Sequence, residues 1–100
     1  MSNLPSLHLD GRTAVAPGLR ISLSPSEAKV LKQLLDANGT AVSRPQLEAA
    51  LYGREAAQQK SNVVEVVVSR LRSKLSMVPG VAISTVRGTG YHLIQRAGQA

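Results

Sequence analysis

An α+β domain with a small N-terminal antiparallel sheet, three helices and a C-terminal β-hairpin is the fold class this sequence predicts. Three observations carry it. Short segments alternating apolar and polar fill residues 7–23, two Ser-initiated capping boxes and a third capped apolar stripe follow, and a second pair of alternating segments brackets Gly88-Thr89-Gly90. A chain of 100 residues suits one domain, taken as 1–100 with an ordered core of about 6–95.

The elements follow in order. Leu7-His8-Leu9-Asp10 alternates, Asp10-Gly11 turns, and Ala14-Val15-Ala16 pairs back. Pro17-Gly18 is a second turn, after which Leu19, Ile21 and Leu23 alternate with Arg20 and Ser22. His8 falls on the outward side, with no carboxylate or second histidine at ligand spacing beside it. Ser24-Pro25-Ser26-Glu27 opens the first helix: Ser24 at the N-cap, Pro25 at N1 and Glu27 closing a capping box. Ala28, Leu31, Leu34 and Leu35 form its buried stripe, and Asn38-Gly39 ends it. Ser43-Arg44-Pro45-Gln46 opens the second helix in the same way, with Val42 placed to staple against Leu47, with Leu47, Ala50 and Leu51 inward, and with Gly53 closing it after Tyr52. Residues 53–60 are polar and read either as a plain linker or as an exposed loop touching a protein partner.

The third helix, residues 62–76, organises the rest. Asn62 is a good N-cap and Glu65 would complete its capping box, while Val64, Val68, Leu71 and Leu75 recur at helical spacing. The valines of Val63-Val64 and Val66-Val67-Val68 also suit a buried strand. The cap, the stripe and the interrupting Glu65 favour the helix. Its opposite side carries Asn62, Val66, Ser69, Arg70 and Ser73, small or hydrogen-bonding groups of the kind a helix in a DNA major groove presents. Pro79-Gly80 then turns the chain, and Val81, Ile83 and Thr85 alternate before Arg87 to Tyr91 and His92-Leu93-Ile94. The glycines suit a tight turn needing positive φ; a phosphate-cradling loop is the alternative, weakened because no helix opens after it. A helix beside such a hairpin makes a winged helix, with the wing at 83–94 and Arg87 able to enter a minor groove.

Charge points the same way. The net charge is +6; residues 1–55 hold six Lys/Arg against five acids, and residues 56–100 hold six Lys/Arg against Glu65 alone. The excess lies on the third helix and beyond, which suits a polyanionic partner or a solvated basic face. The chain has no cysteine, its two histidines lack a nucleophile or metal pattern, and no apolar run approaches the ~18 residues of a membrane span. No catalytic residue, metal site or cofactor is expected, and the chain is not read as an enzyme.

These residues resemble a known family, the winged-helix effector domains of OmpR/PhoB-type two-component response regulators. The resemblance runs from about Leu7 to Ile94. It is carried by Leu23-Ser24-Pro25-Ser26-Glu27, Val42-Ser43-Arg44-Pro45-Gln46-Leu47, Ser69-Arg70-Leu71-Arg72 and Thr85-Val86-Arg87-Gly88-Thr89-Gly90-Tyr91. It implies a sequence-specific transcription regulator of the bacterial cytoplasm, binding promoter DNA in pairs on direct repeats and controlled by phosphorylation of a preceding receiver domain, which this chain lacks. By the same resemblance Asn62, Val66, Ser69 and Arg70 face bases or nearby backbone, Arg72, Thr85 and Tyr91 fall on positions that meet phosphate, and Arg87 is the wing arginine. As cations beside these positions, Lys60 and Lys74 are expected at the DNA backbone too, with Arg72 and Lys74 meeting either phosphate or solvent. The loop with Arg54, Glu55, Gln58 and Gln59 is the place where relatives touch RNA polymerase. Ala28 and Tyr52 stand where the family commonly has an aromatic residue and tryptophan, Val67 and Ser69 where basic or polar residues are frequent, and His92 where a basic residue is common. Simpler roles stay open: Arg70 pairing with Glu65, Val66 as a lone surface valine, Tyr91 as a packing residue. The competing function is a winged helix used for protein contact, through self-association or polymerase binding, with weak DNA affinity.

Overall fold

The computed structural model describes residues 7–53 and 62–95. Strands β1 (His8–Asp10), β2 (Thr13–Ala16) and β3 (Leu19–Ser22) form an antiparallel sheet in that order. The expected alternation holds: Ala14, Ala16 and Ile21 turn inward, with Leu7 and Leu23 buried at its ends. His8 is exposed.

Helix α1 (Pro25–Asp36) starts where the capping box places it. The Glu27 amide donates to Ser24 Oγ at 3.1 Å, and the Ser24 amide donates to Glu27 Oε1 at 2.9 Å. Ala28, Leu31 and Leu34 are buried as the stripe requires, whereas Leu35 is half-buried and Val30 and Glu27 join the interior. The interior face is wider than a single stripe because α1 packs against α2 and α3 as well as against β1 and β6. Asn38 (φ 53°) and Gly39 (φ 90°) break the helix in left-handed conformations.

Residues 42–43 depart from the expectation of a simple helix entry. Val42–Ser43 form a strand, β4, which pairs with the C-terminal hairpin before α2 (Arg44–Tyr52) begins. Ser43 therefore serves twice: it is the last residue of β4 and the N-cap of α2, accepting from the Gln46 amide at 3.2 Å. Leu47 and Leu51 are buried; Ala50 is only half-buried, and Glu48 takes an inward position. Gly53, at φ 88°, ends the helix.

Helix α3 (Val63–Leu75) confirms the helical reading of the valines. Val64, Val68, Leu71 and Leu75 are buried, and Val67 is buried beside them at 6% exposure. The expected capping box is absent. Asn62 sits at the N-cap with φ −99° and ψ 28°, not in the extended conformation a capping side chain uses, and makes no side-chain cap bond. Glu65, the would-be second half of the box, is drawn to Arg44 instead.

Strands β5 (Val81–Val86) and β6 (Gly90–Gln95) form the hairpin, and the sheet order is β4-β6-β5. Val81, Ile83 and Leu93 close the core, and Thr85 surfaces as the hairpin runs out past it. Gly88 has φ 77°, as a tight turn requires. Gly90 is a different case: its φ is not positive, but a Cβ there would collide with the Val42 carbonyl and lie 2.9 Å from Ser43 Cα. That glycine answers to the close approach of β4, not to the turn. Three helices with a hairpin wing make this a winged helix.

Candidate nucleic-acid interface

The outward side of α3 is built by subtraction. Its inward residues seat the helix on the core, which leaves Asn62, Val66, Ser69, Arg70 and Ser73 exposed along one stripe. Val66 is 36% exposed. Arg70 enters none of the hydrogen bonds or ion pairs among the described residues, so its guanidinium is available to an outside partner. Pairing of Arg70 with Glu65 does not occur, because Glu65 faces Arg44.

The flank of α3 toward the wing carries Glu65 and Arg72, and each is tied across. Arg72 Nε donates to the Ile83 carbonyl at 3.0 Å and its terminal nitrogen donates to Thr85 Oγ1 at 2.8 Å. The same guanidinium lies 5.8 Å from the centre of the Tyr91 ring. Arg72, Thr85 and Tyr91, all expected at phosphate, are thus gathered into one internal cluster that braces the wing against α3. Tyr91 is half-buried and packs against the core.

Lys74 departs furthest from expectation. Its ammonium donates to Glu27 Oε1 at 2.6 Å and to the Ser22 carbonyl at 3.2 Å, turned back toward α1 and the N-terminal sheet. Glu27 is a buried carboxylate, its side chain 5% exposed, and the Lys74 ammonium is the cation paired with it. Burial pushes the Glu27 carboxyl up, but the hydrogen bonds from Lys74 and Ser24 together outweigh this and leave it below the ordinary range.

The second charged knot was not legible in the sequence. Arg44 presents Nε to Glu65 Oε2 at 2.7 Å and a terminal nitrogen to Glu65 Oε1 at 3.0 Å, while its other terminal nitrogen pairs with Glu48. Its backbone amide donates to the Thr89 carbonyl in the wing turn at 3.3 Å. The hydrogen bonds from Arg44 hold the Glu65 carboxyl below its usual range, and the pair raises the Arg44 guanidinium in turn. Only the i,i+4 pairing of Arg44 with Glu48 had a signal in the sequence.

At the hairpin tip Arg87 is exposed and makes no hydrogen bond or ion pair among the described residues. An open groove of about 450 Å³ runs between Arg44, Pro45 and the wing turn from Thr85 to Tyr91. The structure therefore places the α3 stripe and Arg87 as exposed groups, and binds Arg72 and Lys74 internally. Lys60, Arg54, Glu55, Gln58 and Gln59 lie outside the described residues. Among the described residues no helix is long and apolar enough to cross a membrane.

Residues 18–93 match the family model described as transcriptional regulatory protein, C terminal. The chain is 41% identical over 93 residues to the response regulator protein PmrA of Pseudomonas aeruginosa, an alignment covering 91% of this chain and 40% of that protein. It is 36% identical over 72 residues to the transcriptional regulatory protein PhoP of Escherichia coli, covering 71% of this chain and 32% of that protein. It spans 40% or less of the length of these relatives. Among solved structures, the RstA DNA-binding domain of Klebsiella pneumoniae, determined in complex with the RstA box, superposes with a TM-score of 0.73 at 30% identity, covering 89% of this chain and 91% of that one. The C-terminal domain of the nisin resistance regulator NsrR gives 0.70 at 30% identity, covering 90% of both. With its winged-helix fold and these matches, the chain belongs to the family of transcriptional regulatory protein C-terminal domains, the OmpR/PhoB-type effector domains of response regulators.

Proposed function

We propose that this domain binds double-stranded promoter DNA sequence-specifically, with α3 in the major groove and the wing hairpin at the adjacent minor groove. The observation that carries the reading is the exposed stripe of Asn62, Val66, Ser69 and Arg70, left unengaged by the core and flanked by a wing whose tip offers Arg87. Arg70 reads a guanine through O6 and N7, Val66 meets a thymine methyl, and Asn62 and Ser69 bond bases or nearby backbone. Arg87 supplies a cation to the minor groove. Thr85 and Tyr91 reach phosphate from the wing while Arg72 holds them in place, and Lys60 adds a phosphate contact from the segment preceding α3 in sequence. Lys74 has no part in the DNA contact, because its ammonium belongs to Glu27. That RstA's domain, a close match in fold, was solved on its own DNA box supports the reading.

The domain acts in a bacterial two-component regulator, pairing on direct repeats when joined to a receiver domain. The segment with Arg54, Glu55, Gln58 and Gln59 is the contact for RNA polymerase. Selection of bound duplexes from a random pool, at near-physiological salt, tests the proposal. A recovered direct repeat with half-sites about one helical turn apart supports it. No enrichment, together with binding insensitive to salt, overturns it and favours a protein-contact module.

A further inference from the structure

Glu65 is the only acidic residue of 56–100, and it stands in the first turn of α3, next to Val66 of the groove-facing stripe. Its side chain is 46% exposed. A free carboxylate there would repel DNA phosphates and would offer an acceptor to a cytosine amine that the rest of the stripe does not seek. Local forces would leave it at the helix start, where the helix dipole favours an acid and where a capping box is available. The structure does otherwise: both carboxylate oxygens are taken by the Arg44 fork, at 2.7 and 3.0 Å, and the box is not formed. Arg44 is itself anchored from two further directions. Glu48, with a side chain only 12% exposed, holds one terminal nitrogen, and the Arg44 amide is bonded to the wing turn at Thr89. Exposed ion pairs contribute little stability, so the fork's consequence lies in where it keeps the carboxylate.

We infer that Arg44 is a positioning residue for DNA recognition, which holds the Glu65 carboxylate off the groove-facing side of α3 and cancels its charge. This rests on the DNA-binding reading above. The guanidinium is suited to the task because its planar fork engages both carboxylate oxygens at once, which an ammonium does not. Arg44 thus shapes affinity and base choice without touching a base.

The test uses variants of the whole chain, titrated onto a short mixed-sequence duplex and onto the duplex recovered by selection, with Glu65→Gln alone as the reference for the charge that this substitution removes. Arg44→Met/Glu48→Gln removes one positive and one negative charge, so the net charge stays at +6 while Glu65 loses its clamp. Its affinity is expected to fall about ten-fold, and adding Glu65→Gln is expected to restore it to within about two-fold of the native chain. Circular dichroism establishes that each variant is folded. Should the loss of the buried pair prevent folding, Arg44→Lys retains a cation against Glu48 but gives up the fork. It is expected to bind more weakly than the native chain and to be rescued by Glu65→Gln. Native affinity in the clamp variants, or a loss that Glu65→Gln does not repair, overturns the inference while leaving DNA binding intact. A native chain showing no salt-sensitive binding to either duplex overturns the DNA reading, and this inference with it.

Discussion

Lys74, in the last turn of α3, closes its ammonium on Glu27 in the first turn of α1, 2.6 Å from Oε1. The two residues are 47 apart in sequence. The same oxygen accepts the Ser24 amide of the capping box, so one carboxylate ends β3's exit, starts α1 and receives the far end of the recognition helix. Lys74→Met would strand Glu27, whose side chain is 5% exposed. A cost of about 2 kcal/mol is expected, toward the low side for a broken buried pair because Lys74 itself is partly exposed. The urea midpoint measures it. DNA affinity of the folded variant should change by less than about two-fold; a large loss of affinity with an unchanged midpoint would place Lys74 at phosphate instead.

Acid stability follows from Glu27 and from Glu65, the carboxylate held by Arg44. Glu27 and Glu65 both lie below the ordinary value of 4.5 in the folded chain. A depressed folded value contributes stability that is fully present above the unfolded value and is lost as pH falls through the folded one. The urea midpoint should therefore change little from these two groups between pH 7 and about 5, then decline below about 4.5. Glu27→Gln should start from a lower midpoint at neutral pH and decline less steeply. An equal acid slope in both proteins would show that Glu27 is not among the groups responsible.

Gly88 and Gly90 sit two residues apart in the wing and answer to different constraints. Gly88→Ala places a side chain at φ 77° in open space, a backbone cost of about 1 kcal/mol. Gly90→Ala drives a methyl into the β4 backbone at Val42 and Ser43, where nothing can rotate away, and should cost about 3 kcal/mol. Thermal or urea unfolding of the two variants ranks them. The reverse order would mean that turn conformation, not strand approach, is the tighter constraint.

Arg72→Met removes the donors to the Ile83 carbonyl and Thr85 hydroxyl and the cation over Tyr91. A loss of about 1–2 kcal/mol is expected, with faster amide exchange concentrated in residues 81–95. Arg72→Lys should recover little, because a single ammonium cannot span both acceptors as the guanidinium does. Exchange rates unchanged in the wing would separate Arg72 from any bracing role.

The two exposed arginines should fail in different ways. Arg70→Ala is expected to relax base preference at one position of the selected motif, worth about 1–3 kcal/mol of discrimination. Arg87→Ala should weaken all sequences nearly alike and lower the salt slope by about one. Quantitative selection for the first and salt titration for the second distinguish them; an unchanged motif with Arg70→Ala would remove it as a base reader.

The caps at Ser24 and Ser43, the stripe of Val64, Val68, Leu71 and Leu75, and the alternation in the strands are determined by the sequence itself. Each depends on neighbours within a few residues, which is the range over which side-chain period and terminal hydrogen bonds act. The exposed stripe of Asn62, Val66, Ser69 and Arg70 was legible for the same reason: it is what remains of the helix once the apolar face is assigned. Only the tertiary structure decided what the long cations do. Arg44 could have served Glu48 alone, yet it takes a carboxylate 21 residues away. Arg72 could have faced solvent, and it closes instead on a carbonyl 11 residues on, while Lys74 turns to an acid 47 residues back. The same holds for Asn62, whose backbone at φ −99° and ψ 28° is not the extended one a cap uses and whose expected partner Glu65 is paired with Arg44, and for Gly90, whose constraint is the arrival of β4. A flexible cation has several acceptors within reach of its own chain, and the packing of distant elements selects among them by bringing one acceptor into range, a buried carboxylate for Lys74, a carbonyl and a hydroxyl for Arg72 and a half-exposed carboxylate for Arg44.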